Sequence, residues 1–115
     1  MSANVYRTAA TGIGAIAETF IVPVGQTYRV VSVTLHLNAA SVTHENFTLT
    51  LDAVNGAAYD TVLYLLDPTD ASTVNLLWQP DGPEGLYLIG GDALDVAWAN
   101  TDGRVWGLLV TMEVM

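Results

Sequence analysis

Residues 92–115 read Asp92-Ala-Leu-Asp-Val-Ala-Trp-Ala99, then Asn100-Thr-Asp-Gly103, then Arg104-Val-Trp-Gly-Leu-Leu-Val-Thr-Met-Glu-Val-Met115. Two runs with large apolar residues at every second position flank a turn cluster, the pattern of a β-hairpin. Asn100 suits the first position of a type I turn, and Gly103 suits the left-handed residue that follows. A three-residue loop, Thr101 to Gly103, with a bulge at the glycine is therefore expected. That register sets Trp98 opposite Trp106, Val96 opposite Leu108 and Leu94 opposite Val110. A loop one residue longer or shorter would split these side chains between two faces. The opposite face of the hairpin would carry Asp95, Ala97, Ala99, Val105, Gly107, Leu109, Thr111 and Glu113.

The same alternation recurs upstream. Residues 15–24 hold Ile16, Phe20, Ile21 and Val22 and end at Pro23. Residues 28–38 place Val31, Val33, Leu35 and Leu37 on one face and Ser32, Thr34 and His36 on the other, a half-buried antiparallel strand. Arg29 shares the apolar parity, at the start of the strand where it can reach solvent. Phe47, Leu49, Leu51 and Ala53 alternate with Thr48, Thr50 and Asp52. Asn55-Gly56 is a turn signal. Tyr59, Thr61, Leu63 and Leu65 share one face of a strand over residues 59–66, which Asp67-Pro68 ends. Val74, Leu76 and Trp78 are in phase over residues 73–79. A loop over residues 80–85, a short strand over 86–89 and a Gly90-Gly91-Asp92 turn lead into the final pair. Residues 1–14 are small and polar and read as an arm or an edge strand. The remaining 15–115 form one all-β domain: an antiparallel β-sandwich, jelly-roll-like, of eight to nine short strands. No window shows capped helical periodicity.

Composition narrows the function classes. The chain has 115 residues, enough for one domain with a core that needs no staples. It has no cysteine, so neither a disulfide nor a thiolate metal site can form. Three arginines, no lysine and twelve acids give a net charge of −9. This excludes the basic footprint of a nucleic-acid binder and disfavours docking on an anionic membrane. Hydrophobic residues reach 51%, yet no apolar run approaches the length of a membrane span. The N-terminal Met-Ser-Ala-Asn-Val-Tyr-Arg lacks the basic and apolar regions of a signal peptide. Charged residues are only 13% against about 25% in typical domains, so part of the surface is expected to be covered by partners.

Catalytic signatures are missing. Two histidines, His36 and His44, with Glu45 beside the second, do not complete a metal-ligand set. None of Ser2, Ser32, Ser41 and Ser72 sits in a nucleophile elbow, and no glycine-rich segment opens a helix. Asp67, Asp70, Asp81, Glu84, Asp92 and Asp102 all fall in loops. Calcium at Asp67/Asp70 or Asp81/Glu84 is a weaker reading of these acids than turn capping. No catalytic, cofactor-binding or metal-binding residue is assigned, and no cofactor is implied. Trp98 and Trp106 are in phase with the core. Trp78, just before Pro80, is the better candidate for exposure on a carbohydrate platform. Tyr6, Trp78, Ala97, Val105 and Leu109 are the candidate interaction residues, because the middle of the outward face is small and apolar where water-facing strands usually carry charge. With no lysine, the usual protection of sheet edges is missing as well.

The run Val24-Gly-Gln-Thr-Tyr-Arg-Val-Val-Ser-Val-Thr-Leu-His-Leu37 resembles strands of small bacteriophage and prophage virion proteins. So do the blocks 91–96 and 100–107. These are head decoration (cement) proteins and tail or neck accessory proteins with β-sandwich folds. The resemblance is one of style and strand order across about two-thirds of the chain, not of a signature motif, and it carries over no site residues. It implies a non-enzymatic, lysine-poor homo-oligomer, such as a trimer, on the capsid exterior or tail of a virion. Its partners would be its own copies and the major capsid protein or other virion proteins. The N-terminal arm would reach a neighbouring subunit. A carbohydrate-binding, receptor-binding or adhesive module is the alternative from another class.

Overall fold

A computed structural model describes residues 4–71, 74–81 and 85–115. Among them nine strands run β1 Asn4–Gly12, β2 Ile16–Ile21, β3 Thr27–Leu37, β4 Phe47–Asp52, β5 Thr61–Leu66, β6 Asn75–Trp78, β7 Leu86–Ile89, β8 Ala93–Trp98 and β9 Trp106–Val114. They form two antiparallel sheets. The five-stranded sheet has the order β1-β9-β3-β6, with β7 also paired to β3, and the four-stranded sheet has the order β2-β8-β4-β5. The chain changes sheet at nearly every connection. Only β4 to β5, and β6 to β7 along one edge, stay in the same sheet. The interleaved order is that of a jelly roll.

This topology corrects the hairpin expected at residues 92–115. β8 pairs with β2 and β4, whereas β9 pairs with β1 and β3 in the other sheet. Trp98, Val96 and Leu94 are therefore not ladder partners of Trp106, Leu108 and Val110. All six are nevertheless buried in one core, contributed from the two facing sheets. The turn chemistry is as expected, since the Gly103 N–H donates to Asn100 O at 3.0 Å and Gly103 has φ 66°. The residues between Trp98 and Trp106 form an arch across the sandwich instead of closing a ladder.

Two bulges reverse the expected faces. In β3 the pairing with β9 passes from Val30–Met112 to Ser32–Thr111, which leaves Val31 as the extra residue. Tyr28 and Val30 therefore face the core before the bulge, and Val33, Leu35 and Leu37 after it, while Val31 is only half-buried. In β5 the pairing with β4 passes from Leu49–Tyr64 to Thr50–Val62 across Leu63. Leu63, Tyr64 and Leu66 pack on the core, while Leu65, expected on the inner face, is exposed. Tyr59 lies in a 3-10 turn, Ala57–Tyr59, outside the strand. The β3 bulge sits where the edge strand breaks: β7 covers Thr27–Val30 and β6 covers Val33–His36.

Candidate functional site

The polar residues concentrate at one end of the sandwich, where they hold turns together. Asp102 accepts hydrogen bonds from Ser41 Oγ (2.6 Å), Val42 N (2.8 Å), Thr43 N (2.9 Å) and Thr43 Oγ1 (2.6 Å). The two hydroxyls, Ser41 first, and the two N–H groups hold its carboxyl far below the usual 3.8. Glu45 accepts from the N–H and hydroxyl of Thr101. Asn100 is buried, donates Nδ2 to Gly14 O and Arg104 O, and accepts the Arg104 N–H. Arg104 Nε donates to Ala40 O at 3.0 Å. At the far end Asp92 accepts the N–H groups of Val54 and Ile89. These acids are occupied by backbone and hydroxyl donors, the arrangement of turn anchors.

Each of the two candidate cation pairs has only one described carboxylate. Asp67 contacts His44 Nδ1 at 2.8 Å and accepts the Thr69 N–H. Desolvation alone would raise its pKa, but the His44 hydrogen bond, the Thr69 N–H and the His44 charge outweigh it and lower it. The Asp70 side chain and Glu84 lie outside the described residues, so neither Asp67/Asp70 nor Asp81/Glu84 is described as a pair. Among the described residues no group of three or more His, Asp or Glu gathers around one point.

What remains is the outer face of the five-stranded sheet. The registers place Thr11, Gly107, His36 and Asn75 in one row across the strands. Ala9, Leu109, Thr34 and Leu77 form the next, and Val5, Glu113, Arg29 and Tyr87 a row nearer the other end. The first two rows enclose an open hollow of about 470 Å³, with Leu77 61% and Leu109 38% exposed on it. Gly107 makes the hollow: a Cβ built there would meet nothing within 4 Å. His36 Nδ1 lies 2.6 Å from Asn75 Oδ1 on the rim. Charges on this face are Arg7 and an Arg29–Glu113 ion pair at 2.9 Å. Two of the three arginines thus share a face with a single acid, on a molecule of net charge −9.

The five candidate residues do not form one site. Leu109 lies at the centre of the outer face just described, and Val105 is exposed at the approach to β9. Ala97 lies on the opposite side of the molecule, in a row with Ala17 and Thr48 on the four-stranded sheet. The hairpin face expected to carry Asp95, Ala97, Gly107 and Leu109 together is therefore split between two sheets. Tyr6 occupies a core-facing position opposite Met112, at the open rim of the sandwich, its ring centroid 5.7 Å from that of Tyr28. It lines a second cleft, of about 440 Å³, with Thr8, Phe20, Pro23 and Met112. Trp78 is half-buried, packed on the core and 6.4 Å from the Tyr64 ring. The sequence reading missed His36, Asn75 and Leu77 as neighbours of Leu109. Strand order alone brings them together, and no local pattern encodes it.

No family model and no curated protein matches the sequence. Among solved structures, a chain of the acid-stable capsid of Helicobacter pylori bacteriophage KHP30 is similar at 14% identity. The similarity covers 96% of this chain and 97% of that one, with a TM-score of 0.49. PliG of Aeromonas hydrophila, a periplasmic inhibitor of g-type lysozyme, is similar at 14% identity over 98% of this chain and 86% of that one, with a TM-score of 0.33.

Proposed function

We propose that the chain is a non-enzymatic structural protein of a bacteriophage particle, and within that class a head decoration protein that docks on the major capsid lattice. The observation behind this reading is the outer face of the five-stranded sheet. Leu109, Leu77 and Ala9 are exposed there around a hollow floored by Gly107, and Val5, Tyr87 and Ile89 are exposed nearer the other end of the same face, with few charges. Exposed apolar side chains grouped around a hollow, with polar residues about them, mark protein contacts. The mechanism is passive: burying this face against the shell adds binding energy that favours the assembled, expanded state.

The test is to add purified protein to shells of the encoding phage that lack it. A rise in shell melting temperature, with stoichiometric binding, is the expected result. No binding sinks the reading. Locating the protein on complete particles separates the head from a tail or neck position. A carbohydrate platform would need exposed aromatics grouped on one surface, and the exposed Tyr6, Tyr59 and Tyr87 stand apart, on the β1 rim, in the 3-10 turn and on β7. Trp98 and Trp106 are buried and Trp78 is half-buried beside Tyr64, so a glycan array is expected to return no hits.

A further inference from the structure

The sandwich has four sheet edges, and three of them carry a device that discourages pairing. On β2, Glu18 takes a core-facing position opposite Val96, an inward-pointing charge. On β5 the bulge at Leu63 interrupts the ladder. The β6–β7 edge is broken between Trp78 and Leu86 and carries Pro80. The fourth edge, β1, has none of these. Its nine residues pair with β9 in unbroken register from Asn4–Val114 to Gly12–Trp106, without proline or bulge. β1 pairs with no other described strand, and its one charge, Arg7, stands on the outer face.

We infer that β1 is a pairing edge for a second copy of this chain, joined antiparallel across a two-fold axis through Thr8. The strand is self-complementary in that register. Its first half is large (Val5, Tyr6, Arg7) and its second half small (Ala9, Ala10, Thr11). The two-fold sets Val5 opposite Thr11, Tyr6 opposite Ala10 and Arg7 opposite Ala9 of the partner, with Thr8 opposite Thr8 on the axis. All nine residues pair, and no like charges stand directly opposite, the two Arg7 side chains lying diagonally across the axis. Centring on Arg7 would oppose two guanidinium groups. Centring on Ala9 would leave Asn4 and Val5 unpaired. The interface is isologous and closed, so it makes a dimer and not a fibre. It also joins the two five-stranded sheets into one, and their apolar outer faces become a single continuous docking surface. The inference deepens the docking reading above by naming the partner that enlarges its surface.

Because the chain has no cysteine, single cysteines report the register directly. Thr8→Cys, Val5→Cys, Thr11→Cys and Leu109→Cys are compared under mild oxidation, with folding checked by circular dichroism and mass by light scattering. The expected result is a dimer mass at micromolar concentration and covalent dimer formation at least tenfold faster for Thr8→Cys than for the others. A monomer at all concentrations overturns the inference, as do equal rates at all four positions. Fastest cross-linking of Leu109→Cys also overturns it, since the copies would then meet face to face. If Thr8→Cys fails to fold, Ala9→Glu and Ala9→Arg decide. The first places an acid opposite Arg7 and should tighten the dimer, the second should weaken it, and a shared direction overturns the register. The two readings fail separately: a monomer that binds shells defeats the pairing alone, and a dimer that does not bind shells defeats the docking alone.

Discussion

Trp106 donates its indole N–H to the Gly14 carbonyl at 2.9 Å, tying the start of β9 to the connection between β1 and β2. Trp98, equally deep in the core, has its Nε1 buried without an acceptor among the described residues. Replacing each by Phe removes a similar apolar volume, but only the first breaks a hydrogen bond. Trp106→Phe should therefore cost about 1 kcal/mol more than Trp98→Phe in urea unfolding. Equal losses would show that the Gly14 contact contributes nothing.

Asp102 contributes to the acid side of the stability profile. Its carboxyl is held below the ordinary value when folded, whereas the unfolded chain protonates near 3.8. The sign follows from linkage: the stabilisation is present above about pH 4 and is lost as pH falls below it, because the unfolded state takes up the proton first. Asp67 acts in the same direction. Asp102→Asn should melt several degrees lower at neutral pH and show a flatter decline below about pH 4 than the parent. Parallel curves would remove Asp102 from that profile.

Gly107 lets the proposed docking be tested apart from folding. A side chain there meets open space, and a β-branched residue suits a strand better than glycine. Gly107→Val should leave the fold intact or slightly stabilised, while filling the hollow and weakening shell binding by tenfold or more. Unchanged binding would place the contact elsewhere on the molecule.

The β3 bulge predicts opposite fates for adjacent valines. Val30 is fully buried and Val31 is the half-buried extra residue. Val30→Ala should cost roughly 2–3 kcal/mol and Val31→Ala about 1 kcal/mol or less, measured by denaturant unfolding. The reverse order would put the bulge at the wrong residue.

These valines also show what the chain spells out and what it does not. Alternation identified the core residues Val33, Leu35, Leu37, Phe47, Leu49, Leu76, Val96, Trp98, Trp106, Leu108 and Val110, because burial on a pleated strand has a period of two. The turns at Asn100–Gly103, Asn55-Gly56 and Gly90-Gly91 were legible because their chemistry is local. The pairing of β8 was not. A period of two says which face is buried, not which sheet a strand joins, so a strand pair facing across a core reads like a hairpin. Bulges were equally silent, since one inserted residue reverses the phase without leaving a composition signal, as at Val31 and Leu63. The candidate surface suffered in consequence. Leu109 was read as outward-facing and is so, but Ala97 was assigned to the same face because the sheet change between them was invisible.

The central position of β9 has a consequence for timing. β9 lies between β1 and β3, and it follows both in sequence. As the chain leaves the ribosome, β1 and β3 wait for a partner made after them. The apolar outer face therefore does not exist in any nascent intermediate, and the non-local pairing makes folding slow by the standards of small domains. Docking through that face, as proposed above, must therefore wait for β9, so premature association is limited by the order in which the strands are made.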